Sequence, residues 1–277
     1  MKNDDRFTVF LSPGELFYIA GNQGLKNLPL LSAYFRAQTP EDVRSLLQQG
    51  LESLTRRNLA HRLNARQVEV DPATTSLVQL VGTPEFVNVV GSLRKGELPV
   101  QVYMYFSKGQ SLSVIFKERF FHFTMFREEV ALQRSLVGWM GIVGQISEKG
   151  GNVPPLAGDT SEILQKIWVQ PEKAAELLES RGYSKEEAAR QADFLSQITL
   201  YSTLNRVRLL DGRLVKQYQV TLMGNAANLW VQETSGDTAA RAPAGMQLLP
   251  ASQAALFVLR YLKPEVIMAG TDDQVIE

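Results

Sequence analysis

The stretch Val100–Phe126, VQVYMYFSKGQSLSVIFKERFFHFTMF, constrains the fold more than any other part of the chain. Apolar residues alternate with period two and the breaks fall at turn residues, the pattern of three antiparallel strands in a meander. If one face of such a sheet is buried, the apolar side chains must share it. That requirement predicts a three-residue loop of Lys108, Gly109 and Gln110, with Phe106 opposite Leu112, Met104 opposite Val114 and Val102 opposite Phe116. At the next corner Glu118-Arg119 is the expected turn, matching Phe116 to Phe121, Val114 to Phe123 and Leu112 to Met125. The other face then carries Tyr103, Tyr105, Ser113, Ile115, His122 and Thr124, and Tyr103, Tyr105 and His122 become a possible partner or ligand surface.

About a hundred residues later the construction returns as Tyr201–Leu210, Leu214–Met223 and Ala227–Glu233. Asp211-Gly212 reads as a tight turn placing Leu209 opposite Leu214, Thr203 opposite Val220 and Tyr201 opposite Leu222. Asn225-Ala226 reads as the next turn, placing Leu222 opposite Leu229 and Val220 opposite Val231. Each meander runs into an amphipathic helix: Leu132, Leu136, Trp139, Met140 and Val143 share one face, and Ala251, Ala255, Val258, Leu259 and Leu262 share the other at the same spacing. The chain reads as duplicated.

The elements before each meander echo one another too. Phe7–Phe10 is a short strand, Ser12-Pro13 opens a helix and Gly24 closes it. Ile167-Trp168-Val169, Pro171 and Gly182 repeat the order in the second half. Thr39-Pro40-Glu41-Asp42 starts a helix expected to reach about Leu63, Asp71-Pro72 starts one ending near Gly82, and Ser184 caps one to about Ile198. The expected fold is α+β: two related halves with quasi-two-fold symmetry, each an antiparallel meander sheet packed with helices. Residues 1–147 form the first half, with a helical insertion over about 25–70; 148–160 are a Gly/Pro-rich linker, 161–263 the second half and 264–277 a flexible tail. Both halves belong to one compact domain. The loop Ser235–Gly245 is long enough to carry function.

Chemistry is scarce. Twenty-nine basic and 29 acidic residues leave no net charge, which argues against a nucleic-acid partner, and there is no cysteine to bond, attack or bind metal. No secretory leader is expected from MKNDDRF, and no apolar run is long enough to span a membrane, so the expected location is the cytoplasm. The two histidines do not form a site: His61 lies among arginines, and His122 is a strand residue opposite Ile115. Paired acids Glu128-Glu129 and Glu186-Glu187 fall in first helical turns, where the dipole accounts for them. Arg56-Arg57 and Arg206/Arg208 read as solvated helix and strand faces. No phosphate loop, dinucleotide fingerprint, metal-ligand spacing or nucleophile elbow occurs, so no cofactor, metal or catalytic residue is expected.

The order of parts nevertheless resembles a known family. A strand and capped helix, Leu28-Pro29-Leu30, a long helix, Val70-Asp71-Pro72, a helix closing at Thr83-Pro84-Glu85 and the first long strand recur in shortened form in the second half. This resembles the EspG family, cytosolic chaperones of mycobacterial type VII secretion, and fits a divergent relative outside the mycobacteria equally well. The resemblance implies a non-catalytic chaperone or adaptor that binds a helical secretion substrate. It places client binding on the loop bearing Arg94, Lys95 and Glu97, and on the second-half helix bearing Phe194, Gln197 and Leu200. The alternatives are a small-molecule binder or enzyme using the sheet–helix cleft, and a homo-oligomeric scaffold.

Overall fold

The fold was obtained as a computed structural model, which describes residues 6–31, 34, 39–64, 67–142, 160–210, 213–235 and 246–262. The expected linker before Thr160, most of the Ser235–Gly245 loop, Val143 and the tail from Pro264 lie outside the described residues. Its centre is one antiparallel sheet with strand order β1-β7-β6-β5-β4-β8-β9-β10-β11. These strands are β1 (Arg6–Leu11), β4 (Phe86–Arg94), β5 (Val100–Ser107), β6 (Gln110–Lys117), β7 (Phe120–Phe126), β8 (Leu200–Leu210), β9 (Arg213–Gly224), β10 (Leu229–Ser235) and β11 (Gln247–Leu248). The two meanders therefore share a sheet, joined where β4 pairs with β8 from Val87↔Val207 to Arg94↔Leu200. A separate hairpin, β2 (Ala60–Arg62) and β3 (Val68–Val70), stands outside it.

Helices cover both faces. On one face α4 (Glu129–Trp139) and α8 (Ala251–Leu259) pack across the seam, over Val90, Val102, Met104, Leu204, Val220 and Leu222. On the other, α1 (Pro13–Asn22) and α3 (Pro72–Gly82) cover Tyr103, Tyr105, Leu112, Val114, Phe121 and Phe123. A third cluster on that second face packs α5 (Thr160–Val169), α6 (Ala174–Glu179) and α7 (Lys185–Gln197) against Tyr201, Met223 and Trp230. Local sequence explains the helix starts. Ser12, Thr39 and Ser184 each close a capping box, with Glu15, Asp42 and Glu187 respectively, and Asp71 caps α3. Outside α1 lies α2 (Pro40–Arg56), in backbone contact: a Cβ on Gly50 would stand 2.1 Å from the Gly14 carbonyl oxygen.

Covering both faces corrects the first hairpin. The loop is the two-residue Lys108-Gly109, with both residues at positive φ (48° and 75°) as a type I′ turn needs. Phe106 therefore faces Ser111, Met104 faces Ser113 and Val102 faces Ile115. An apolar face could not select the register, because β5 is buried on both faces from Val102 to Phe106. The Glu118-Arg119 turn and its three expected pairs are found as read.

In the second meander Leu209 does face Leu214, but a bulge between Arg206 and Val207 shifts the rest by one, so Thr203 faces Thr221 and Tyr201 faces Met223. The β9–β10 connection is four residues long, because Asn225 Oδ1 accepts the amides of Ala227 and Asn228. Leu222 then faces Val231 and Val220 faces Glu233.

Three helix readings also change. Ile167-Trp168-Val169 is the last turn of α5, whose buried Ile163, Leu164 and Ile167 recur at helical spacing. α2 stops at Arg56, where Asn58 takes φ 56°, and His61 stands exposed on β2. In the closing helices Leu132, Leu136 and Met140 are buried as expected, whereas Trp139 is half-buried, edge-on to Phe126. In α8 the burial falls on Ala254 and Val258, and in the 3-10 turn that follows it on Tyr261 and Leu262.

Candidate functional site

The two patches that the sequence singled out are neighbours. Because Arg94 pairs with Leu200 at the end of the β4–β8 seam, the β4–β5 loop stands beside the junction of α7 and β8. The Lys95 amide donates to the Thr199 carbonyl at 3.0 Å, and Arg94 Nη2 donates to the Gly138 carbonyl at the end of α4, also at 3.0 Å. Gly96 at φ 83° turns the chain, closed by the Glu97 amide on the Arg94 carbonyl. The Arg94 and Glu97 side chains approach to 3.9 Å and remain open to solvent, a pair of little energetic weight. Lys95, Gly96, Glu97, Leu98 and Pro99 are all exposed.

Leu98 is 87% exposed at the tip of this loop, and sequence reasoning missed it. The signal was there: a leucine between Glu97 and Pro99, in a connection too short to bury it.

The α7 residues divide. Gln197 is exposed, with its amide near Asp193. Phe194 is half-buried, its ring edge-on to Trp230 with centroids 5.0 Å apart, so it is a member of the third core cluster more than a free anchor. Leu200 is buried as the first residue of β8, packed so closely on Gly141 that a Cβ there would come within 2.7 Å of it. Placing Leu200 on the helix read it three residues past its end at Gln197 and into the start of β8.

Tyr103 and Tyr105 are not a surface, nor do they share a face with His122. The observed register puts both under α1 and α3, where the Tyr105 hydroxyl donates to the Pro29 carbonyl at 2.7 Å and Tyr103 meets the Tyr34 hydroxyl. Burial pushes both phenols above the ordinary tyrosine range. His122 lies on the opposite face, its ring edge-on to Phe10.

Two grooves open near the loop. One, of about 370 Å³, follows the seam on the face between the first-half and second-half helices. It is lined by Leu93, Pro99, Gln101, Gln165, Thr203 and Asn205 among others. Among the described residues its lining holds no ionised side chain. The other, of about 660 Å³, runs along the outside of α5 and α6 past Val169, Lys173 and Leu177. Val169 was hidden from the sequence reading by the strand assigned to Ile167–Val169.

The seam also buries a cation. Arg206, read from sequence as solvated, is 1% exposed between the sheet and α8. Its Nε donates to Asn88 Oδ1 at 3.2 Å and its Nη2 to the Tyr261 carbonyl, and the guanidinium lies 4.0 Å from the Phe86 ring centroid. Burial pulls its pKa down to about 10, which leaves it charged at neutral pH. Among the described residues no group of three or more His, Asp or Glu could hold a metal ion, and no helix is long and apolar enough to cross a membrane.

No protein-family model matches the sequence, and no curated protein matches it. A solved structure does share the fold. The Mycobacterium tuberculosis type VII secretion system chaperone EspG5, in complex with a PE25–PPE41 dimer, is similar over 92% of this chain and 95% of its own, with a TM-score of 0.57 and 10% sequence identity. The likeness is one of fold: both chains carry the same α+β architecture across nearly their whole length.

Proposed function

We propose that this protein is a non-catalytic chaperone or adaptor that holds a helical protein client, in a secretion setting of the type VII kind. What carries the proposal is the full-length likeness to a chaperone captured with its protein partners. The exposed β4–β5 loop supports it, since a leucine within a charged rim is the composition of a protein-binding surface. Arg94, Lys95, Glu97 and Leu98 are the proposed contact residues, with Gln197 beside them, and the location is the cytoplasm. Phe194 and Leu200 shape the surface from beneath. Within the same proposal, residues 1–147 and 161–263 are related units meeting at the seam. Superposing 84–144 on 199–263 should then pair strands in the same order.

The test is Arg94→Glu with Lys95→Glu, and separately Leu98→Ser, in the full chain in its host. Both variants should melt with wild type, yet lose a helical partner that wild type holds through crosslinks mapping to Lys95. An unchanged partner set, with crosslinks elsewhere, would refute the site.

A further inference from the structure

The β8–β9 hairpin extends beyond the rest of the described sheet. β4 pairs with β8 only as far as Val87↔Val207, and β10 with β9 only to Ser235↔Tyr218. Past those points Arg208–Leu210 pair with 213–215, a two-stranded arm whose edges have no strand partner among the described residues. Isolated hairpins are marginal in water. This one also leaves Leu210 52% and Val215 42% exposed, and encloses Arg208 Nε with no hydrogen-bond acceptor among the described residues. Its sequence, RVRLLDGRLVK from Arg206 to Lys216, sets three arginines and a lysine against Asp211 alone.

Alternation puts Arg208 and Leu210 on the face that carries Arg206, with Val215 directly across from Arg208. The described chain ends on that face. The Tyr261 carbonyl accepts from Arg206 and Asn88, and the Tyr261 ring packs on Tyr218. Leu262 then lies beside Glu85, Phe86 and Phe106, at the end of the sheet from which the arm projects. The residues that follow are KPEVIMAGTDDQVIE: two apolar groups, Val266-Ile267-Met268 and Val275-Ile276, with Glu265, Asp272, Asp273 and Glu277 against Lys263.

We propose that residues 263–277 dock along this face of the β8–β9 arm. Val266–Met268 cover Leu210 and Val215, and the acids supply the countercharge to Arg208 and its neighbours. The reach is sufficient: the four residues from Leu262 to Val266 span up to about 13 Å, and the arm from Val207 to Leu210 is roughly 10 Å long. Tethering raises the local concentration of the segment to about the millimolar range, so a weak contact is enough. The inference is independent of the chaperone proposal, because it uses neither the β4–β5 loop nor a client.

The absence of cysteine makes disulfide trapping clean. In the full chain, Leu210→Cys with Ile267→Cys should close within one molecule at least about tenfold faster than Leu63→Cys with Ile267→Cys, whose exposed partner lies by the β2–β3 hairpin. Adding Asp272→Lys and Asp273→Lys, or raising the salt, should slow the first pair several-fold and leave the second alone. Matched melting curves separate these effects from misfolding. Equal rates for the two pairs would overturn the proposal. So would a concentration-dependent disulfide between two molecules, which would assign the arm to a second copy.

Discussion

Two arginines that look alike in the sequence enter the interior by opposite routes. Arg57 sits one-third exposed at the end of α2 and reaches Glu15, which is fully buried in α1; Nη1 lies 2.8 Å from both carboxylate oxygens. Glu15 also accepts from Ser53 and from the Ser12 amide, so its charge is countered and its lone pairs are filled. Arg206 is the reverse. The buried group is the cation, and among the described residues it meets an amide oxygen, a backbone carbonyl and two aromatic rings. A helix end supplies that carbonyl, where the backbone dipoles favour positive charge. In the first region a buried charge meets another charge, and in the second the described contacts of the charge are dipoles and rings. Removing the cation should therefore leave an orphaned ion at Glu15 in one place and the unpaired Asn88 and Tyr261 oxygens in the other.

The largest expected effect is at α1–α2. Arg57→Met should cost about 3 kcal/mol, the low end for breaking a buried pair because Arg57 is partly solvated. Adding Glu15→Gln should recover much of that loss, and urea unfolding of the two variants would measure it. If the double variant is no more stable than the single one, packing rather than orphaned charge sets the cost. At the seam Arg206→Met should cost only about 1–2 kcal/mol, from an Asn88 oxygen left unpaired, offset by removing a buried charge. A loss at the seam larger than at Arg57 would invert the comparison.

The smallest effect comes from an exposed acid that serves as reference. Hydrogen bonds from the Ser184 side chain and amide hold the Glu187 carboxyl below its usual range. Its folded pKa is thus depressed, so its contribution is complete above the ordinary glutamate pKa and fades as pH falls through the lowered value. Amide exchange in the first turn of α7 should speed up over that acidic window, and Glu187→Gln should abolish the pH dependence there. A window at higher pH would mean that the cap is not the group responsible.

Four helix starts, the sharp Glu118-Arg119 turn and the alternation of the meanders were legible in the sequence, because each is set within a few residues by capping groups or turn preference. So was the placement of the β4–β5 loop as an exposed, charged connection. Registers were another matter. A period-two pattern determines which residues share a face, but choosing between Leu112 and Ser111 opposite Phe106 needed knowledge of what covers each face. Only the tertiary arrangement of α4 and α8 on one side, and α1 and α3 on the other, decided it. The joining of β4 to β8, which brings Arg94 to Leu200 and buries Arg206, was equally invisible, because strand pairing across about 110 residues leaves no local mark in either partner. Local chemistry determined the elements of this protein; long-range packing decided which of their charged and aromatic side chains meet water.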